Sequence, residues 1–215
     1  MVRNAPGRGA KTDWPARALA AREIVVVCRR LYERGLIAGQ DGNVTVRIGP
    51  DRVLVTPAGF SKVDVRLRDL VELTLAGTRR GGASGVRPSS EVAVHLAAYR
   101  ARPDVRAVVH AHPPLATAFA VAGEAIDDAA LAELQYGIGR VPVVPFAPPG
   151  SLELAQRVAT FLVSHDVVLL ANHGAVAVGP SLLAAHQRME SLEHAARILL
   201  AAQHVRQHVK RSDSR

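Results

Sequence analysis

The sequence predicts a mixed α/β domain built around a largely antiparallel sheet. Runs of β-branched residues predict strands, and longer segments with apolar residues at helical spacing predict helices. Several strand pairs are joined by turns of a few residues, which is too short for the crossover that parallel strands require. The chain has 215 residues and 48% hydrophobic content, enough for one domain with its own core. Aromatic residues make up only 4%, so we expect a core of Ala, Val and Leu.

The first half of the chain predicts a helix, a hairpin and a second helix. Pro15 is tolerated in the first turn of a helix, and Gly35 suits the end of one. Strands at 44–48 and 52–56 flank a Gly-Pro-Asp turn and predict a hairpin. Further along, we expect a short strand within 67–75, a Gly-rich loop at 79–87, and a helix that opens at 88–91 and lasts to about 102.

The second half predicts a strand that ends abruptly at a histidine pair. The run 105–109 leads into His110-Ala111-His112, and the two prolines that follow cannot continue a central strand. Beyond it we expect a helix at 115–122, an irregular Pro- and Gly-rich stretch at 126–150, a helix at 152–164, strands at 167–170 and 175–178 around a tight corner, and a last helix at 181–205.

Charge and composition set the expected domain limits and compartment. Five of the eight net positive charges lie in residues 1–13 and 206–215. We interpret 1–12 as a disordered basic tail, 13–205 as the domain and 206–215 as a flexible basic tail. Few aromatic residues are available to stack on bases, so solvated tails are favoured over nucleic-acid binding. The sequence shows no secretory signal and no apolar run of membrane length, which predicts a cytoplasmic protein without a membrane partner.

Three histidines form the candidate metal site. Residues i and i+2 of a strand point to one face, so His110 and His112 project together. His173 lies between Asn172 and Gly174, which suit a tight corner. Three neutral imidazoles would leave one coordination position of a zinc ion open, as catalytic sites require. The alternative is three unrelated histidines. The single cysteine, Cys28, excludes an internal disulfide and a cysteine-based zinc site.

Glu91 has two interpretations that the residues alone leave open. It lies in the first turn of a predicted helix, where Ser89 and a carboxylate stabilise the free N–H groups and the helix dipole. The same helix end is suited to bind an anion, and a carboxylate there is able to reach a nearby metal. Capping alone accounts for these residue types. We also expect His95 to serve in packing and Lys62, which lies in a loop, not to be a buried nucleophile.

Six segments in constant order resemble the class II aldolase/adducin family over residues 20–200. The segments are 42–47 (GNVTVR), 56–59 (TPAG), 88–91 (PSSE), 97–104 (AAYRARPD), 107–112 (AVVHAH) and 172–174 (NHG). The resemblance implies a three-layer α/β/α domain with a mostly antiparallel sheet. It also implies a fourfold homotetramer with active sites between subunits.

The same resemblance implies roles for individual residues. It implies that His110, His112 and His173 bind Zn²⁺, or another divalent ion such as Mn²⁺ or Co²⁺. It implies that Glu91 is the catalytic acid/base and a ligand of the resting metal. The residues that it implies for binding the substrate phosphate are Gly42, Asn43, Ala58, Gly59, Ser89 and Ser90.

The implied activity is cleavage of a ketose 1-phosphate, such as L-fuculose 1-phosphate, through an enediolate to dihydroxyacetone phosphate and an aldehyde. Two positions depart from the family pattern. Ala58 stands where a hydroxyl residue is common, and Leu131 stands where a fuculose-type aldolase presents a tyrosine to the neighbouring subunit. Tyr136 is the nearest replacement. The alternatives are a metal-dependent decarboxylase of a hydroxylated acid, a pentulose-phosphate 4-epimerase, whose branch usually has Asp at the Glu91 position, and a metal-free, adducin-like interaction module.

Overall fold

The fold is an eight-stranded sheet in a computed structural model that describes residues 14–127, 129 and 131–212. The strand order is β4-β3-β2-β1-β5-β8-β7-β6, and each neighbouring pair is antiparallel except β6 and β7. The strands are β1 Asn43–Gly49, β2 Arg52–Val55, β3 Val71–Leu73, β4 Arg79–Gly81, β5 Ala107–Ala111, β6 Val143–Val144, β7 Val167–Leu170 and β8 Gly174–Gly179.

Helices cover both faces of the sheet and produce two separate apolar cores. α1, α3 and α5 pack on one face, and α2 and α4 pack on the other. The helices are α1 Arg17–Glu33, α2 Val92–Ala101, α3 Pro114–Ala122, α4 Leu152–Leu162 and α5 Leu182–Ser212. Ala, Val, Leu and Ile dominate both cores, as the composition predicts. The predicted three-layer α/β/α class with a mostly antiparallel sheet is therefore confirmed.

The register of the central strands brings three chain segments to one end of the sheet. Asn43, at the start of β1, lies opposite His110 near the end of β5. Ala111 at the end of β5 pairs with Ala175, just after the corner between β7 and β8. The loop before β1, the Pro-Pro stop after β5 and the β7–β8 corner therefore meet at this end.

The structure differs from the prediction where pairing or helix length depends on the rest of the fold. The Gly-rich loop 79–87 contains β4, and the irregular stretch 126–150 contains β6 and a π-helical turn at Leu134–Ile138. α5 continues past its predicted end at 205 to Ser212, because no Gly or Pro interrupts it. It thus includes part of the segment predicted as a flexible tail.

The remaining predicted tail residues, 1–12 and 213–215, lie outside the described residues. Within the part of the chain that the structure describes, no helix is long and apolar enough to cross a membrane.

Candidate metal centre and adjoining cavity

His110, His112 and His173 come together at the end of the sheet where the three segments meet. Their ring centroids lie 4.8–4.9 Å from one another. Each ring offers one nitrogen to a common point, and the three nitrogens are within 4.8 Å of one another. Nε2 of His110 and Nε2 of His112 are 3.1 Å apart. The predicted cluster thus exists as a geometric unit.

Close backbone approach at two glycines makes this arrangement possible. Gly42 has φ +69°, and a Cβ there would lie 2.7 Å from Ile37 Cγ2 and 2.9 Å from the His110 carbonyl oxygen. A Cβ on Gly174 would lie 2.5 Å from the Ala111 carbonyl oxygen and 2.7 Å from His112 Cδ2. Any larger residue at either position would displace β5 or a histidine ring.

Hydrogen-bond partners on the outer side of two rings determine which nitrogen faces inward. His110 Nδ1 lies 2.9 Å from the Ala175 carbonyl oxygen, which accepts only a proton-bearing nitrogen. His112 Nδ1 lies 3.3 Å from Asp41 Oδ2. In the neutral rings both protons therefore sit on Nδ1, and both Nε2 lone pairs point at each other. A cation bound by both nitrogens would stabilise this arrangement, and it is the orientation that metal-binding histidines adopt.

Glu91 is the N-cap residue of α2, but its side chain does not cap the helix. Ser89 Oγ accepts the backbone N–H of Glu91 at 3.3 Å, just before the helix begins. The Glu91 carboxylate lies instead 3.2 Å from His110 Nε2 and 3.3 Å from His173 Nε2. Asn43 Nδ2 donates to it at 3.0 Å. The Glu91 side chain therefore makes no cap hydrogen bond, and both its interaction with the helix dipole and its role as acid/base stay predictions.

The ionisation of the cluster follows from burial and mutual charge. Burial tends to raise the pKa of Glu91, but the hydrogen bond from His110, the charges of His110 and His173 and the Asn43 amide outweigh it and lower the pKa to about 2. Burial and the neighbouring His110 charge lower the pKa of His173 to about 4. At neutral pH an ionised Glu91 carboxylate therefore lies beside a neutral His173 ring, which is the state of each group that binds a metal.

A cavity of about 290 Å³ opens beside the cluster and contains every residue predicted to bind phosphate. Its walls are the loop before β1, the loop after β2 and the start of α2. One detail differs from expectation: the Ala58 N–H donates to the Arg87 carbonyl at 2.9 Å, so this amide is already used. Gly59 has φ +78° with open space around its Cα. The predicted phosphate residues that line the cavity are Gly42, Asn43, Ala58, Gly59, Ser89 and Ser90.

The structure adds two charged residues that the sequence did not single out for the site. Asp41 lines the cavity and contacts the outer nitrogen of His112. Lys62, expected in a loop and not as a buried nucleophile, is only 3% exposed and also lines the cavity. Both lie next to predicted motifs, Asp41 directly before Gly42 and Lys62 three residues after Gly59. Proximity to these motifs was the sequence signal by which the two residues could have been assigned to the site.

Other candidate residues lie outside the cavity. His95 is buried and bonded through Nδ1 to Thr45 Oγ1 at 2.9 Å, in agreement with a packing role. Leu131 packs against the core, and Tyr136 is 86% exposed. Glu193, an α5 residue that was not among the candidates above, accepts the N–H groups of Leu115 and Ala116 and so caps the start of α3.

The chain has a three-layer fold with a histidine cluster at the end of its sheet. Sequence comparison identifies the family to which it belongs. Residues 22–200 match the model of the class II aldolase and adducin N-terminal domain. The chain therefore belongs to the class II aldolase and adducin family, whose enzymes are generally metal-dependent.

Relatives within this family carry two kinds of name. The chain is 34% identical to the 3-oxo-tetronate 4-phosphate decarboxylase of Haemophilus influenzae, over 86% of this chain and 89% of the relative. It is 32% identical to the L-fuculose phosphate aldolase of Methanocaldococcus jannaschii, over 83% and 94% of the two chains. A solved structure of an L-fuculose 1-phosphate aldolase superposes with a TM-score of 0.83 at 30% identity, covering 89% of each chain. Family membership therefore supports an enzymatic function. The names of the relatives are divided between two reactions, aldol cleavage and decarboxylation.

Proposed function

We propose that this protein is a metal-dependent carbon–carbon lyase that releases dihydroxyacetone phosphate from a phosphorylated hydroxy ketone. The observation that carries the proposal is the convergence of three imidazole nitrogens and the Glu91 carboxylate beside a cavity lined with Ser, Gly and Asn. The substrates named for the two kinds of relative share the fragment that such a site would bind. Each contains a ketone flanked by a phosphorylated carbon and a hydroxylated carbon.

His110, His112 and His173 are the proposed metal ligands. Zn²⁺ is the proposed ion because it prefers nitrogen donors and keeps an open position on three histidines, and Mn²⁺ or Co²⁺ is the alternative. When bound, such an ion supplies Lewis-acid stabilisation of the negative charge that develops on the substrate oxygens. Asp41 and the Ala175 carbonyl orient two of the rings from outside.

Glu91 is the proposed acid/base. When the carbon–carbon bond breaks, its electron pair stays on the dihydroxyacetone phosphate fragment, and that carbon must then accept one proton. The Glu91 carboxylate lies beside the imidazole cluster and lines the cavity, so it is placed to carry this proton from solvent. The Asn43 amide N–H donates to Glu91 Oε2, the carboxylate oxygen that also lies next to His110.

Loss of CO₂ is the leaving-group chemistry that these side chains support best. A substrate carboxylate is already ionised, so its departure requires no further proton transfer. Departure of an aldehyde requires removal of a hydroxyl proton, and among the described residues no tyrosine lines the cavity. Tyr32 and Tyr136 are exposed, and Tyr99 is buried against Thr45. We therefore place decarboxylation of a 3-oxo-tetronate 4-phosphate first.

Cleavage of a ketose 1-phosphate to an aldehyde, which the sequence predicts, is the second candidate. The exposure of Tyr136 favours it, because an exposed tyrosine is able to enter the cavity of a neighbouring copy. This route depends on the proposed homotetramer with active sites between subunits, whereas decarboxylation does not.

Dihydroxyacetone phosphate release tests both candidates in one assay. Metal-loaded protein would be supplied with 3-oxo-tetronate 4-phosphate or with L-fuculose 1-phosphate, and the product measured through reduction by glycerol-3-phosphate dehydrogenase. We expect turnover on the acid with one CO₂ per dihydroxyacetone phosphate. Turnover on the sugar phosphate alone would select the aldolase.

His110→Ala is the matched control for the metal. We expect it to lose both bound metal and turnover, while wild-type protein holds roughly one ion per chain. No dihydroxyacetone phosphate from either substrate, or full metal content in His110→Ala, would overturn the proposal.

A further inference from the structure

Lys62 is a buried cation on the wall of the candidate active-site cavity. It begins a 3-10 turn at Lys62–Asp64 and is 3% exposed. Lysine is almost never fully buried unless it is paired, because the ammonium group loses its hydration. The position therefore requires a physical reason.

The contacts of Lys62 leave its charge without a counterion. Nζ donates to the Gln40 carbonyl at 2.7 Å and to the Phe60 carbonyl at 2.9 Å, both neutral acceptors. One of its three N–H groups remains. Over the described residues Lys62 forms no ion pair. Of the two carboxylates that line the same cavity, Asp41 contacts His112 and Glu91 contacts His110. Burial lowers the pKa of Lys62, against which Cys28 and the charges of Asp41 and Glu91 act.

The charges on the cavity wall make Lys62 distinctive. The charged side chains that line it are the two carboxylates Asp41 and Glu91 and this one ammonium group. The other donors, Ser89, Ser90 and Asn43, are neutral. A phosphate entering here carries up to two negative charges, and apart from the proposed metal ion Lys62 is the positive charge that the described cavity wall offers it.

A second observation concerns Ala58, which lines the same cavity. Its methyl side chain offers no hydrogen-bond donor to the cavity, and its N–H is bonded to the Arg87 carbonyl. The same short loop carries Lys62 four residues later. A charge-assisted hydrogen bond from ammonium to phosphate is stronger than the neutral one that Ala58 lacks.

We propose that Lys62 is the counterion of the substrate phosphate in this cavity and donates its remaining N–H to a phosphate oxygen. The inference rests on the proposed function, because it presupposes a phosphorylated substrate. The competing explanation is that Lys62 only ties the loop at 39–43 to the loop at 57–62 through its two carbonyl contacts.

Binding of phosphoglycolate and of glycolate to the metal-loaded protein separates the two explanations. The two probes differ by the phosphate group. In Lys62→Met we expect the Kd for phosphoglycolate to rise about 10- to 100-fold, as loss of a charge-assisted hydrogen bond would produce. The Kd for glycolate and the metal content should stay unchanged. Arg68→Met, which removes an exposed charge from the same segment, is the control and should leave both constants unchanged.

Lysine NMR on the wild-type chain covers the case in which Lys62→Met disturbs the loops. The sequence has three lysines, Lys11, Lys62 and Lys210, so ¹⁵N-lysine labelling gives few signals, which single replacement of Lys11 and Lys210 assigns. Phosphoglycolate should shift the Lys62 ammonium signal at the concentration at which it binds, and glycolate should not.

Each outcome decides between the explanations. Equal phosphoglycolate affinity in wild type and Lys62→Met, or a Lys62 signal that phosphoglycolate leaves unshifted, would reduce Lys62 to a loop tie and overturn the inference. Failure of wild-type protein to bind phosphoglycolate at all would instead overturn the proposed function, and the inference with it.

Discussion

Replacing Glu91 with Gln separates the acid/base role of this residue from a purely structural one. Two terms contribute to the structural cost. The carboxylate makes no cap bond to α2, so loss of its charge near the helix dipole should cost at most about 1 kcal/mol of unfolding free energy. Gln keeps an oxygen for Asn43 Nδ2 and gains an N–H that faces an imidazole nitrogen. Gln also loses the charge interactions that lower the pKa of Glu91 from 4.5 to about 2, so we expect the metal-free variant to melt below wild type at neutral pH.

The catalytic cost should be much larger. Gln has the same shape but carries no transferable proton, so turnover at saturating metal should fall by roughly 10²–10⁴-fold. The assay is dihydroxyacetone phosphate release by metal-saturated protein, with metal content measured on the same sample. Glu190→Gln, which removes a carboxylate that pairs with Arg34 on the surface of α5, is the matched control and should keep normal turnover.

Acid stability provides a second readout of the same substitution. The folded pKa of Glu91, about 2, lies below its ordinary value of 4.5. Its stabilising contribution is thus fully present above pH 4.5 and lost as the pH falls towards 2. Metal-free Glu91→Gln should lose less stability over this window than wild type. Near-normal turnover in the metal-saturated variant would refute the acid/base assignment, whatever the acid profile.

Two further substitutions test residues that support the site. Gly42→Ala should lower the unfolding free energy by roughly 2–4 kcal/mol, because φ is +69° and the new Cβ would meet Ile37. The control Gly35→Ala, at φ +68° with nothing within 4 Å, should cost only about 1 kcal/mol. Equal costs for the two variants in chemical denaturation would exclude the steric argument. Burial lowers the pKa of His95 to about 3, so its contribution is present above pH 6.5 and lost as the pH falls towards 3. His95→Asn, which keeps a polar partner for Thr45, should flatten the fall of melting temperature between about pH 6.5 and about pH 4, and an unchanged profile would contradict the assigned pKa.

Much of the sheet and the metal cluster could be predicted because their determinants are local in sequence. Alternation and β-branched runs predicted β1, β2, β5, β7 and β8 to within one or two residues. The period of a strand places His110 and His112 on one face without any knowledge of the fold. The Asn-His-Gly corner required only its own three residues. Recurrence of these motifs in a fixed order then indicated the family.

The tertiary structure decided the features that depend on residues far apart in the chain. β4 and β6 are three and two residues long, too short to carry a pattern, and exist through their partners β3 and β7. Local propensity made Glu91 a helix cap, but the approach of Asn43 and His110 from other strands draws its carboxylate into the cluster.

Lys62 shows the same division between local pattern and tertiary contact. The sequence places it in a loop beside a family motif, and nothing within a few residues indicates burial. The carbonyl of Gln40, 22 residues earlier, and the closure of two loops over the cavity remove its ammonium group from solvent. The sequence by itself therefore determined which chemical groups are present and which face of a strand or helix they occupy. The three-dimensional packing decided which of those groups are desolvated together, and desolvation sets their charge and binding strength.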